Sequence, residues 1–201
     1  MLASVAGVLL AAGDGSRLGR PKALVQFAGQ SLAARGADML RAGGADPVIV
    51  VTGAAPVSLR GVLVVHNADW RTGMGSSMAA GLIAVPDTCA AAVLALADQP
   101  LVGPEAVRRL VAAFTAGARV AVAAYSGQPR NPVLIAREYW PQAIELAAGD
   151  VGARPFLRAH PELVTLVECA DTGRPDDIDT PEDLDRIGRL VSGGHAVPAK
   201  E

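Results

Sequence analysis

Two cations near the start of the chain and carboxylates far from them carry the chemistry this sequence offers. Arg17 and Lys22 stand in the loop Gly13-Asp14-Gly15-Ser16-Arg17-Leu18-Gly19-Arg20-Pro21-Lys22, directly after the apolar run Val8-Leu9-Leu10-Ala11-Ala12. Glycines let backbone N–H groups turn toward an anion and approach it closely, and the two long side chains add full positive charge, so the loop suits phosphate. Asp98 follows a second apolar run, Ala91 to Ala97, and Asp177 and Asp179 alternate in an extended segment that turns both to one side. A carboxylate at the end of a buried parallel strand lies where open α/β sheets bind ligands, and its hard oxygens suit Mg²⁺ shared with substrate phosphates. The set points to phosphoryl or nucleotidyl transfer by positioning and charge neutralisation, without a covalent intermediate.

Several better-known motifs are excluded. A P-loop needs Gly-Lys followed by Ser or Thr, whereas Gly19 precedes Arg20 and Lys22 precedes Ala23. The spacing of Gly13, Gly15 and Gly19 exceeds the dinucleotide fingerprint by one residue. Around Gly75-Ser76-Ser77, Ala79 stands where a nucleophile elbow needs glycine, which leaves a serine hydrolase unsupported. His66, His160 and His195 lack zinc-ligand spacing. Plain structural roles remain open beside the chemical ones: Ser76 as a helix N-cap, Asp98 as a cap for a helix near Pro104, Asp150 as a cap with Arg154 one turn on, and Thr180-Pro181 with Asp183 as a helix start.

The elements that must position these groups follow a strand, helix, strand rhythm. Ser31 caps a helix through Ala33, Ala37, Met39 and Leu40 that ends at Gly43-Gly44. Val48–Val51 and Gly61–Val65 read as the second and third core strands, and Ala91–Ala97 as a central one. A helix from Glu105 to Phe114 and a strand at Val120–Val122 complete the regular part, which predicts an α/β fold with right-handed crossovers and a mostly parallel central sheet. Gly127–Pro132 reads as a turn-rich link, followed by a short strand at Val133–Ile135 and a helix from Arg137 to Ala147. One domain over 1–190 is expected, with an acceptor-side insertion near 127–170 and a flexible tail at 191–201.

Composition narrows the partners. The 201 residues are 51% hydrophobic and 19% charged, enough for one core. A net charge of −2 provides no field for nucleic acid or an anionic membrane, so an anionic substrate must be held by local cations. Cys89 and Cys169 form neither a CxxC site nor a disulfide framework, and the early apolar run is broken by Asp14 and Arg17, so a reduced, cytoplasmic protein with no membrane segment is expected.

The loop Leu10-Ala11-Ala12-Gly13-x-Gly15-x-Arg17-x-Gly19-x-Pro21-Lys22 resembles the signature of nucleotidyltransferases with a MobA-like domain, closest to the molybdenum cofactor cytidylyltransferase group. The resemblance runs from Val8 to about Leu184 and includes Asn67-x-x-Trp70-x-x-Gly73-Met74-Gly75-Ser76-Ser77, Ala97-Asp98-Gln99-Pro100, Gly149-Asp150-Val151-Gly152-Ala153-Arg154 and Asp177-Ile178-Asp179-Thr180-Pro181-Glu182-Asp183. It implies a Rossmann-like three-layer sandwich of the nucleotide-diphospho-sugar transferase type. It implies that Leu10, Ala11, Ala12 and Gly13 line the base, that Gly15, Ser16, Arg17 and Lys22 wrap the triphosphate, and that Gly75, Ser76 and Ser77 contact base and ribose. Asp98 and Asp179 then hold Mg²⁺, and Asn131, Asp150 and Arg154 face the acceptor. The implied reaction moves CMP from CTP to molybdopterin and releases pyrophosphate, with a molybdoenzyme apoprotein as later recipient. Ala97 and Asn131 depart from the family's usual glycine and histidine. Ala12 favours CTP over the GTP of guanylyl members by one methyl group. A transferase for another phosphorylated acceptor, a non-catalytic nucleotide-binding regulator and an oxidoreductase with an irregular fingerprint are the alternatives.

Overall fold

The computed structural model describes residues 4–192; of the tail expected at 191–201, Val191 and Ser192 are the end of a helix, and the rest, with His195, lies outside the described residues. In chain order the elements are β1 (Ser4–Ala11), β2 (Gln26–Phe27), β3 (Gln30–Ser31), α1 (Leu32–Ala42), β4 (Val48–Thr52), β5 (Leu63–His66), α2 (Met74–Ile83), β6 (Cys89–Leu96), α3 (Pro104–Thr115), β7 (Val120–Tyr125), β8 (Gln128–Ala136), α4 (Trp140–Leu146), α5 (Arg154–Ala159), β9 (Val164–Glu168) and α6 (Pro181–Ser192). Seven strands form one sheet in the order β5-β4-β1-β6-β8-β7-β9. β8 runs antiparallel to β6 and β7, and the other pairings in the sheet are parallel.

Strands covered on both faces read as continuous apolar runs, and β1, β4 and β6 do so because helices lie on either side. On one face Leu9, Val50, Val93 and Ala121 meet Ala37, Leu40, Val107 and Leu110 of α1 and α3. On the other, Val8, Val51, Leu94 and Val122 meet Met78, Leu82, Trp140 and Phe156 of α2, α4 and α5. The result is a three-layer sandwich, and burying each large aliphatic side chain contributes about 1.5–3 kcal/mol before entropy is counted. A smaller cluster of Val25, Phe27, Leu32, Ile178 and Ile187 ties α6 to the segment after the glycine-rich loop.

The site-bearing edge follows from strand order. β1 pairs with β4 on one side and β6 on the other, so the connections leaving it diverge and open a crevice beyond the strand ends. Ser31 caps α1 as expected, its Oγ accepting from Ala34 N at 3.2 Å.

Three expectations need correction. Gly61–Val65 is not a core strand: its ordered part is β5, at the sheet edge, with Leu63 48% and Val64 44% exposed. The stretch 127–132 is mostly strand, because β8 begins at Gln128 and the turn is confined to Ser126-Gly127. Pro129 fits there because this half of β8 projects past β6 and pairs with β7 alone, leaving one edge without a ladder partner. The turn is held by Glu168, whose carboxylate accepts from the N–H groups of Ser126, Gly127, Cys169 and Ala170 at 2.9–3.2 Å. The helix expected from Arg137 is a 3₁₀ turn at Arg137–Tyr139 that leads into α4. Cys89 and Cys169 are buried free thiols.

Candidate active site

The glycine-rich loop leaves the end of β1 as two successive 3₁₀ turns, Ser16–Leu18 and Lys22–Leu24. It closes on itself through Lys22 N to Gly13 O at 3.3 Å and Leu18 N to Gly15 O at 2.8 Å. Gly15 is required on two counts: its φ is +59°, and a Cβ there would sit 2.2 Å from the Arg20 carbonyl oxygen. The closed loop directs Lys22 inward and leaves Arg17 at the rim, with 68% of its side chain exposed.

Lys22 meets both distant carboxylates. Its Nζ donates to Asp98 Oδ2 at 2.6 Å and to Asp179 Oδ1 at 2.5 Å, and Arg17 lies 3.1 Å from Asp179 Oδ2. Asp98 is carried just past β6, and the segment holding Asp179 is docked onto it by Ile178 N donating to Asp98 O at 2.8 Å. Gln99, buried beside it, donates to Asp177 Oδ1 at 2.9 Å, which fixes the alternate residue of that segment. Thr180 and Asp183 then start α6 reciprocally: Asp183 N donates to Thr180 Oγ1 at 3.2 Å and Thr180 N to Asp183 Oδ2 at 3.1 Å. Burial works against the Lys22 charge, but Asp98 and Asp179 outweigh it and hold the ammonium above the ordinary lysine range. The hydrogen bond from Lys22 draws Asp179 below the usual carboxylate range. Burial pushes Asp177 up, against the hydrogen bond from Gln99.

Around this triad lies a cleft of about 760 Å³ lined by Leu10, Ala11, Ala12, Gly13, Gly15, Ser16, Arg17, Lys22, Trp70, Arg71, Met74, Ser77, Asp98 and Asp179, among others. It opens beyond the carboxyl ends of β1 and β6, where the strand order predicts a ligand site.

The MobA-like NTP transferase domain family matches residues 7–164. The chain belongs to that family. The domain is 40% identical over 200 residues to nicotine blue oxidoreductase of Paenarthrobacter nicotinovorans, a match covering 92% of this chain and 97% of that protein. It resembles the crystal structure of the Mycobacterium tuberculosis Rv0371c homologue from Mycobacterium sp. strain JC1, with a TM-score of 0.82 and 32% identity over 95% of this chain and 98% of that one. The manganese complex of Rv0371c from M. tuberculosis H37Rv superposes with a TM-score of 0.75 and 27% identity, over 92% and 98% of the two chains.

In this MobA-like domain α2 departs from expectation. Its N-cap is Gly73, so Ser76 lies inside the first turn instead of capping it. The Ser76 hydroxyl turns back to the carbonyls of Gly73 and Asp69 at 2.9 and 3.0 Å, the local bonding typical of serine. Gly75 packs against the Ala147 carbonyl, and of the three expected base and ribose contacts Ser77 is the one that lines the cleft. Asp150 does not cap α5, whose N-cap is Ala153. Its Oδ1 instead accepts from Met74 N at 3.3 Å, at the start of α2, and the same approach places Gly149 backbone 2.3 Å from where a Gly73 Cβ would stand. Asp98 is no helix cap either, since α3 starts from Gly103.

Asn131 faces a neighbouring cavity of about 890 Å³ whose walls include Val122, Val133, Leu157, Val164 and Leu166 together with Arg130 and Arg158. Met74, Leu96, Asp150, Arg154 and Asp177 line both spaces, so the two cavities share a wall. Three residues of this region stood in the sequence motif without a role being assigned to them. Asn67 is buried and its Nδ2 donates to Ser76 and Ser77 Oγ at 2.9 and 3.0 Å, which sets the serine pair. Trp70 lines the cleft with the Arg71 guanidinium 4.4 Å over its ring, and Met74 stands in the shared wall. A buried-type Asn and a lone Trp in a loop of small residues were the available signals.

The donor set suits a divalent ion. Asp98 and Asp179 present hard oxygens on one cation-sized space, and Asp98 Oδ1 is buried without a hydrogen-bond partner among the described residues. No group of three or more His, Cys, Asp or Glu side chains among the described residues forms a closed metal site. An ion here would complete its shell with phosphate and water oxygens, as Mg²⁺ commonly does. His66 lies on the edge strand β5 and His160 packs on the Phe156 ring at 5.0 Å, both away from the cleft.

Proposed function

We propose that the domain transfers CMP from CTP to a phosphorylated acceptor, molybdopterin, with release of pyrophosphate. One observation carries this reading: Lys22, Asp98 and Asp179 meet within 2.6 Å in a cleft beside the glycine-rich loop, although they come from three remote parts of the chain. Arg17, Lys22 and the loop N–H groups take the triphosphate, and Leu10 to Gly13 with Ser77 face the nucleoside. Asp98 and Asp179 hold Mg²⁺, which when bound supplies Lewis-acid stabilisation of the phosphoryl oxygens; the manganese in the Rv0371c complex supports a divalent ion of this kind. The acceptor lies in the adjoining cavity, where Asn131, Asp150 and Arg154 orient its phosphate for in-line attack on the α-phosphorus. The protein contributes alignment and preorganised charge, which suits a reaction whose transition state spreads charge over phosphoryl oxygens. Ala12 favours CTP over GTP, and buried free thiols favour the reducing cytoplasm. Among the described residues no helix is long and apolar enough to cross a membrane.

The test is pyrophosphate release from CTP, GTP, ATP and UTP with Mg²⁺, with and without molybdopterin. CTP-selective, acceptor-dependent release is expected; release with GTP alone moves the base preference, and none with any nucleotide overturns the reading. A second reading is favoured by the 40% identity to a protein named as an oxidoreductase. In it the same cleft binds a reduced nicotinamide dinucleotide, and saturable quenching of NADH or NADPH fluorescence with no pyrophosphate release would select it.

A further inference from the structure

The geometry points to Lys22 as a placeholder for the divalent ion: in the nucleotide-free protein its ammonium holds the metal position between Asp98 and Asp179, and it yields that position only when a nucleoside triphosphate draws it onto phosphate. The inference rests on the transferase reading above and adds an order of binding to it.

The contacts are those of a counter-ion. Nζ stands 2.6 Å from one carboxylate and 2.5 Å from the other, and no more than a fifth of the Lys22 and Asp98 side chains is exposed. A metal ion brought to the same oxygens would meet a full positive charge at contact distance, where like charges in a partly buried site repel strongly. The residue type fits the role. Lys22 and Lys200 are the two lysines of the chain, against 18 lysines and arginines in all. Arginine, with its planar fork, pairs both nitrogens with one carboxylate, as Arg109 does with Asp171 at 2.7 and 2.7 Å. An ammonium is a compact point charge on a flexible stem, so it can bridge two carboxylates and swing away from them. Its destination is close by, since Gly13, Gly15, Ser16 and Arg17 of the glycine-rich loop line the same cleft.

Two consequences follow. Free metal binds the nucleotide-free protein weakly, and the ion enters with the triphosphate. Lys22 also keeps Asp98 and Asp179 from repelling each other while the cleft is empty.

The test uses the full chain and Mn²⁺ alone, followed by electron paramagnetic resonance. Lys22→Met should bind Mn²⁺ in the absence of nucleotide at least about tenfold more tightly than the wild type, whereas Asp179→Asn should bind it more weakly. Equal Mn²⁺ affinity in wild type and Lys22→Met overturns the placeholder, even if pyrophosphate release is intact. A measurement that needs no variant is nuclear magnetic resonance of protein labelled with [¹⁵N]lysine, in which the Lys22 ammonium is one of two signals. Mg²⁺ alone should leave that signal unmoved and Mg²⁺ with a non-hydrolysable CTP analogue should shift it. A shift with Mg²⁺ alone overturns the placeholder while leaving the transferase reading standing; no shift and no nucleotide binding under any condition overturns both.

Discussion

Asp98→Asn separates catalysis from stability. The substitution keeps shape and leaves one oxygen to accept from Lys22, now 2.6 Å from Asp98 Oδ2, but it removes a negative charge from the carboxylate pair. Losing one preorganised electrostatic group costs an enzyme roughly 10²–10³ in kcat, or about 3–4 kcal/mol of transition-state stabilisation. Stability responds differently because two effects oppose each other. Replacing the ammonium–carboxylate hydrogen bond by one from the same ammonium to a neutral amide oxygen forfeits about 1 kcal/mol. Against this, Asp98 Oδ1 is buried without a partner among the described residues; the amide N–H₂ that takes its place is also unpartnered but neutral, and burying it costs less than burying a charge. Lys22 keeps Asp179 as its counter-ion, so no cation is stranded. The expected result is pyrophosphate release down 100- to 1,000-fold, with a urea-unfolding free energy within about 1 kcal/mol of wild type. A rate loss below tenfold, or a loss that tracks unfolding of the variant, would refute the reasoning.

Asp177→Asn should be more stable than wild type at pH 7. Burial raises this carboxyl above its unfolded value of 3.8, so ionisation costs folding free energy above that pH, while the amide oxygen still accepts from Gln99; urea titrations at pH 7 and 3.5 should show the advantage fading in acid. The Lys22 and Asp179 pair sets a window of the opposite kind. The lowered Asp179 contributes stability that is present above 3.8 and lost as pH falls further, and the raised Lys22 contributes stability that is present below 10.5 and lost as pH rises further. The difference in melting temperature between wild type and Lys22→Met should therefore be level between about pH 4 and 10 and change at both ends. Gly73→Ala should destabilise by at least about 1–3 kcal/mol, because φ there is +118° and the new Cβ would meet the Gly149 backbone at 2.3 Å. Calorimetry should also show weakened nucleotide binding as the Asp150 contact to Met74 N opens.

Whatever depended on local pattern was legible in the sequence. Unbroken apolar runs marked β1, β4 and β6, and Ser31 with Gly43 bracketed α1, because periodicity and capping act within a few residues. The position of Asp98 was legible for the same reason, since a carboxylate at a strand end needs no knowledge of the strand's neighbours. What failed depended on partners. Val62 to Val65 looks as apolar as a core strand, yet nothing local says that β5 ends the sheet. Pro129 and Asn131 look like a turn until β7 is known to lie beside them and β6 to stop short. Asp150 has the chemistry of a cap, but the N–H it reaches belongs to Met74, 76 residues away. The bridge made by Lys22 was foreseen as a convergence on one nucleotide, and the direct ion pairing of its parts was not.

The position of Asp179 bears on how the molecule is made. A polypeptide leaving the ribosome acquires the cationic turn and Asp98 early, and its second acid only after the stretch following β9 has been synthesised and α6 has settled on Val25, Phe27 and Leu32. Clipping between β9 and Asp179 would spare every strand of the sheet and still remove half of the carboxylate pair. The carboxylate pair therefore exists only once the chain beyond β9 has been made and docked against Asp98.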